Sequence, residues 1–278
     1  MSNRSMVPSV LFLCIWLGSA PAGVKVIMQE TFYHSGAPDS SITTVFFIRE
    51  DRLRIDIKDA NQPMSYIFDR SRNVSHMIDH HRRRYTTLTP EDVQQMVSQV
   101  QSVLDQAIQS LQQQLKDLPP EQREMMEQMM KQQITQSARP QAPTMTLKKT
   151  GSGETIGPWI CDRWEIYRDN QKSEVVWVTP VDRLPEGNII LGVFRDYGKF
   201  WANALETFVD NMGMELFSPD LQKKLQGIPV ASIRYRYGQQ TARWKILSLE
   251  EQSFPDSHFQ PPSGYQYQEP QQFWQIDR

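Results

Sequence analysis

The sequence predicts an α+β protein built on an antiparallel, up-and-down β-sheet, with amphipathic helices laid over one of its faces. Three observations lead there. The stretch from Ile42 to Leu88 breaks into short apolar/polar runs of period two, separated by polar turns. Further runs of the same kind lie at Thr144 to Thr179 and Ile228 to Leu249. Between them, segments after Thr89, after Pro120 and from Phe194 carry apolar residues every three or four positions, the spacing of a helix with one apolar stripe.

Val24 to His34 reads as the first strand, and Ser35 to Ser41 as a polar Gly/Pro loop. Thr43 to Ile48 is β-branched and aromatic, as strands prefer. In Arg52 to Lys58 the alternation is strict, so Leu53, Ile55 and Ile57 share one face and Arg52, Arg54, Asp56 and Lys58 the other. That pattern predicts one buried and one solvated face. Asn61-Gln62-Pro63 and Ser71-Arg72-Asn73 punctuate two more runs, with Met64, Tyr66 and Phe68 on one face and Val74, His76 and Ile78 on another.

Thr89-Pro90-Glu91-Asp92 has the chemistry of a helix start: an N-cap hydroxyl, proline at the first helical position and acids in the first turn. The stripe that follows runs through Val97, Val100, Leu104, Ala107 or Ile108, Leu111, Leu115 and Leu118, under a glutamine-rich outer face. Pro119-Pro120 ends it, and a second helix carries Met125, Met126, Met129 and Met130 on one side. Such a hairpin, an insertion spanning 90–138, must cover something. Either its stripes pack on each other and on the sheet, the commoner use of helical spacing, or the flexible methionines offer an adaptable surface to an apolar partner.

After the proline-containing loop Ser137 to Thr144 come strands with a turn at Gly151-Ser152-Gly153 and a hairpin at Asn170-Gln171. Trp159, Trp164, Tyr167 and Trp177 give this part large apolar bodies with polar handles. Pro180 to Gly192 reads as irregular, Phe194 to Met212 as a strongly amphipathic helix and Asp220 to Gln226 as a helical turn. A last hairpin turns at Gly238-Gln239. The Gln/Pro-rich residues 266–278 read as a flexible tail.

The amino terminus reads as a secretory signal peptide over residues 1–22. Arg4 supplies the positive region, Val7 to Gly18 the apolar run and Ala20-Pro21-Ala22 the cleavage site. The run is shorter than the roughly 20 residues that span a bilayer and contains Pro8. The chain is therefore expected to be exported, with the periplasm ahead of the extracellular space, and to keep no integral membrane segment after cleavage. Cys14 leaves with the leader and Cys161 remains alone, so the core and not an internal disulfide must hold the fold. With 39% hydrophobic and 22% charged residues and a net charge of -2, the composition carries no basic footprint for nucleic acid.

Few residues in the chain point to catalysis or metal binding. His76, His80 and His81 lie near Asp79, but Arg82-Arg83-Arg84 would repel a cation and no zinc spacing is present. No G-x-S-x-G, phosphate-binding glycine loop or dinucleotide fingerprint occurs, and Cys161 has no histidine near it in sequence. The expectation is a non-enzymatic protein with neither cofactor nor metal.

Several motifs stand together in order: R-x-R-x-D-I from Arg52, Ile67-Phe68-Asp69, Met77 to Tyr85, Leu118 to Arg123, Ile156 to Glu165, and F-x-P-P-x-G-Y ending at Tyr265. The chain resembles the secreted bacterial domains of unknown function with LolA-like, lipoprotein-carrier architecture. The resemblance implies a single domain over 23–265, an incomplete antiparallel β-barrel with helices over its concave face and an apolar cavity between. The carriers' early-strand arginine is followed by proline, whereas Arg49 here precedes Glu50, so that feature does not carry over. Cavity candidates are Leu53, Ile55, Ile57, Tyr66, Phe68, Trp164, Trp177, Phe200, Trp201 and Phe208, for a lipid or lipoprotein acyl chain. The alternative is an envelope scaffold that docks a protein partner through Met125, Met126, Met129 and Met130.

Overall fold

The computed structural model describes residues 22–59, 61–116, 144–208 and 219–274. The amino-terminal meander comprises β1 (Ala22–His34), β2 (Ala37–Arg49), β3 (Arg52–Lys58), β4 (Met64–Asp69), β5 (Val74–Asp79) and β6 (Arg84–Leu88). Helix α1 (Pro90–Lys116) follows. The second meander runs through β7 (Met145–Ile156), β8 (Trp159–Arg168) and β9 (Gln171–Thr179). Next come α2 (Gly187–Phe208), α3 (Pro219–Leu225), β10 (Ile228–Arg236) and β11 (Gln239–Ser253). The chain closes with a 3-10 turn, β12 (Gln266–Tyr267) and α4 (Pro270–Phe273).

All twelve strands form one sheet in the order β12-β6-β5-β4-β3-β2-β1-β11-β10-β9-β8-β7. The two meanders are joined because the last long strand, β11, pairs with the first, β1, over eleven residue pairs from Ala22–Ser253 to Phe32–Ala242. Every pairing is antiparallel except β12 with β6. The sheet is not closed, and β7 and β12 are its edges.

Helix α1 starts as its residues dictate. The Thr89 hydroxyl accepts from the Asp92 amide (3.2 Å), and the Asp92 carboxylate accepts from the Thr89 amide and hydroxyl (2.8 Å each), a reciprocal cap with aspartate in the usual glutamate place. Only part of the predicted hairpin is described: the second helix, and with it Met125, Met126, Met129 and Met130, lies outside the described residues, as does the leader through residue 21.

Four local expectations are corrected. Residues 37–41, read as loop, extend β2 as exposed strand, because the turn needs only Ser35 and Gly36, both at positive φ. Gly151 and Gly153 make no turn; they sit at two register shifts inside β7, where the missing side chain lets the strand bulge. Helix α2 begins at Gly187 rather than Phe194, because Ile190 and Val193 continue the stripe of Phe194, Tyr197 and Phe200 and all five are buried.

The fourth correction is the largest. The face of β2–β6 that alternation reads as wet is covered by the carboxy-terminal segment, of which residues 266–274 are held rather than loose. Phe254 and Phe259, each 2% exposed, pack with Tyr265 on Ile67, Ile78, Phe47 and Tyr85. Arg49 is the clasp: its guanidinium holds both Asp51 oxygens (2.7 and 2.8 Å) and Asp256 (2.6 Å) and lies 5.1 Å from the Phe259 ring centre. Its pairing with Asp51 raises it above the ordinary arginine value. Arg54 donates to the His258 carbonyl (2.8 Å). Further on, Phe273 enters the core, and Arg84 lies over its ring while binding Asp79 (3.3 Å) and Gln268 (2.9 Å).

Candidate apolar-ligand site

Register decides which residues share the helix-covered face. It aligns Val24, Val26 and Met28 of β1 with Ile48, Phe46 and Thr44 of β2, and these with Leu53, Ile55 and Ile57 of β3. Phe68, Tyr66 and Met64 of β4 continue the same rows. Helix α2 lays an aromatic ridge on them. Phe194 meets Phe46 edge to face at 5.6 Å, and Tyr197 and Phe200 meet Phe68 at 5.4 and 5.5 Å. Val93 and Val97 of α1 join the same cluster. Leu53 and Phe68 are completely enclosed, whereas Ile57, Met64, Tyr66, Met96 and Trp201 are only partly buried, so cover thins toward one end of the face.

A second apolar patch lies across β8 to β11. Ile166, Val176, Val178 and Trp244 pack with Leu221 and Leu225 of α3, with Trp164 and Met28 at its margin. Ile246 belongs to both patches and makes them one surface. Inside the second patch sit polar groups that composition did not announce. The Ser232 hydroxyl donates to the Glu174 carboxyl, and Arg234 pairs with Glu30 across β11. Burial pushes the Glu174 carboxyl up to about 7, against the smaller opposing pull of Ser232. Burial also lowers Arg234 from its ordinary value.

The structure brings seven of the sequence-derived cavity residues together: Leu53, Ile55, Ile57, Tyr66, Phe68, Phe200 and Trp201. Trp164 stands apart, in the second patch. Trp177 packs against the first cluster but commits its indole to Glu154 Oε2 at 2.7 Å. Phe208 closes α2, and its side chain is outside the described residues. Sequence reading missed Glu30, Glu174, Ser232 and Arg234. The available signal was Glu174 itself, a lone charge opening the apolar run Val175 to Val178.

The histidines take structural partners on the opposite face. His76 Nδ1 meets Thr87 Oγ1 at 2.9 Å. His80 stands between Ser65 (2.6 Å) and Tyr265 (3.1 Å). Because Ser65 donates to the Asp56 carboxylate (2.6 Å), His80 Nε2–H donates to Ser65, and the Tyr265 hydroxyl donates to Nδ1. Burial holds both imidazoles below their ordinary value. Among the described residues, no group of three or more His, Cys, Asp or Glu side chains could hold a metal ion. Cys161 is 1% exposed, and burial pushes its thiol up to about 11. Among the described residues no helix is long and apolar enough to cross a membrane.

The model of a family described as a domain of unknown function (DUF4412) matches residues 90–265. No curated protein matches the chain. Among solved structures, an uncharacterized conserved protein from Thermus thermophilus aligns over 90% of this chain and 91% of its own at 5% identity, with a TM-score of 0.43. A structure of PNGF-II aligns over 89% of this chain and 31% of its own at 10% identity, with a TM-score of 0.38.

Proposed function

We infer, from the premise that the chain belongs to the DUF4412 family of domains of unknown function, that it is an exported, non-enzymatic protein that holds an apolar ligand. The ligand, a lipid or lipoprotein acyl chain, lies between the helix-covered sheet face and α1 and α2, in an open barrel of the lipoprotein-carrier kind. The supporting observation is the continuity of that face. Two apolar patches meet at Ile246, and along the row that runs from it over β1, β3 and β4, Met28, Ile57 and Met64 are only partly covered by the protein's own side chains. Binding sites for small molecules are largely apolar and concave, with few polar groups.

Native mass spectrometry of the protein purified without detergent tests the reading. A reproducible adduct that solvent extraction releases is expected. A bare mass, together with no uptake of a fluorescent fatty-acid analogue by the extracted protein, overturns it. Met64→Lys should lower that uptake about tenfold while the fold stands, since the lysine stem can lie along the apolar face and its ammonium reach water. Uptake unchanged in this variant would move the ligand off the β3–β4 end of the row.

One observation favours a second reading, an envelope scaffold that docks a partner through α1. Val103 is 66% exposed, although Val93 and Val97 on the same helix are buried. Val103→Lys leaves those two in place and should abolish co-purification of a partner; an unchanged partner set would dispose of the scaffold.

A further inference from the structure

The polar island in the second patch is costly where it stands. Register puts it on two adjacent rows of one face: Trp164, Val176, Ser232 and Trp244 in the first, and Ile166, Glu174, Arg234 and Ala242 in the second. Ala242 is small and 2% exposed, which leaves the guanidinium opposite it room to reach over β11 to Glu30 of β1. A surface meant only to pack would be served better by apolar residues, because drawing such a pair even partly out of water costs desolvation that offsets much of its mutual attraction.

The island is also incomplete. Arg234 Nε and the Trp164 indole nitrogen are both buried, and neither finds a hydrogen-bond acceptor among the described residues. Buried donors are almost always satisfied, so a donor without a partner asks what supplies one. Both orphans are donors, and the missing group is therefore an acceptor. Arg168 adds a positive charge close enough to pull on Glu174. The carboxyl of Glu174, raised toward neutrality by burial, opposes an incoming anion little.

We propose that the ligand is an amphiphile with an anionic oxygen head, a carboxylate or a phosphate ester, that accepts from Arg234 Nε and Trp164 Nε1 while its tail crosses the sheet face past Met28 and Ile246. The proposal rests on the apolar-ligand reading and adds the head. The dimensions suit it. From β10 to β3 the sheet order is β10-β11-β1-β2-β3, four strand spacings of about 4.8 Å or roughly 19 Å, close to the roughly 20 Å of an extended sixteen-carbon chain.

Solvent-extracted protein is titrated with palmitic acid, palmitoyl lysophosphatidic acid and hexadecanol, each displacing a fluorescent fatty-acid analogue at pH 6, below the value at which Glu174 ionises. The expected result is at least one acid bound about tenfold tighter than the alcohol, as a charge-assisted hydrogen bond requires. Which acid wins tells a fatty acid from a phospholipid head. In the double variant Glu30→Gln/Arg234→Met, which removes the partly buried pair as a unit, the preference should vanish while hexadecanol binding is kept. Trp164→Phe keeps the ring and deletes only the donor, so it carries the test independently; it should weaken the acid about threefold and leave the alcohol unchanged. Equal binding of acid and alcohol by the unaltered protein, or a preference that survives both sets of variants, overturns the head and leaves the apolar site standing. No binding of any of the three overturns the apolar site itself.

Discussion

Glu174→Gln should stabilise the protein by about 3 kcal/mol at pH 8 and leave it unchanged near pH 4, as followed by urea unfolding across that range. The sign follows from proton linkage. The Glu174 carboxyl titrates at about 7 in the folded chain against an ordinary 4.5. Between those values the folded state holds a proton that the unfolded state has released. Stability therefore falls as pH rises from 4.5 to 7 and is flat above. A shift of that size corresponds to roughly 3 kcal/mol. Glutamine keeps the acceptor that the Ser232 hydroxyl uses, takes no charge, and should flatten this limb. An unaltered pH profile would mean that Glu174 is solvated and that the second patch is wetter than the packing of Trp244, Leu221 and Leu225 implies.

Ending the chain at Ser253 should leave a protein that does not unfold cooperatively. The removed segment contributes Phe254, Phe259 and Phe273, each at most 4% exposed, with Tyr265 partly buried beside them. At about 1.5–3 kcal/mol for each large apolar side chain, the loss is on the order of 6–12 kcal/mol, comparable to the whole stability of an ordinary domain. The point variant Phe259→Ala should cost about 3–5 kcal/mol by leaving a cavity against Ile67 and Ile78. A truncated protein with an unchanged melting transition would show that the strap only decorates the sheet. The same strap should weaken in acid. Burial holds His80 and His258 below their ordinary 6.5. The unfolded chain therefore binds protons first as pH falls past 6.5, and stability drops until the folded-state values are passed. This limb slopes opposite to that of Glu174, and the Glu174→Gln variant separates the two.

Period and punctuation were enough for most of the sheet. Leu53, Ile55 and Ile57 against Arg52, Arg54 and Asp56 announce a strand with two unlike faces, and Thr89-Pro90 announces its helix, because these signals act over a few residues of backbone. The helix-facing cluster around Phe68 was legible for the same reason. Glu174 and Arg234 were not. They lie sixty residues apart in the chain and become one site only when β9 and β10 pair with Glu174 opposite Arg234.

What the sequence determined by itself, then, was element type, the order of the strands in each meander and which residues of β3 and β4 share a face, all consequences of local alternation and turn chemistry. The tertiary structure alone decided that β11 closes on β1 and that a Gln/Pro-rich terminus, by turning back over Arg49 and Arg54, converts a charged face into an interior. The physical reason is that alternation separates unlike faces without naming the solvent of either. A row of arginines is as well satisfied by Asp256 and the carbonyl of His258 as by water, and only the path of the chain selects between them.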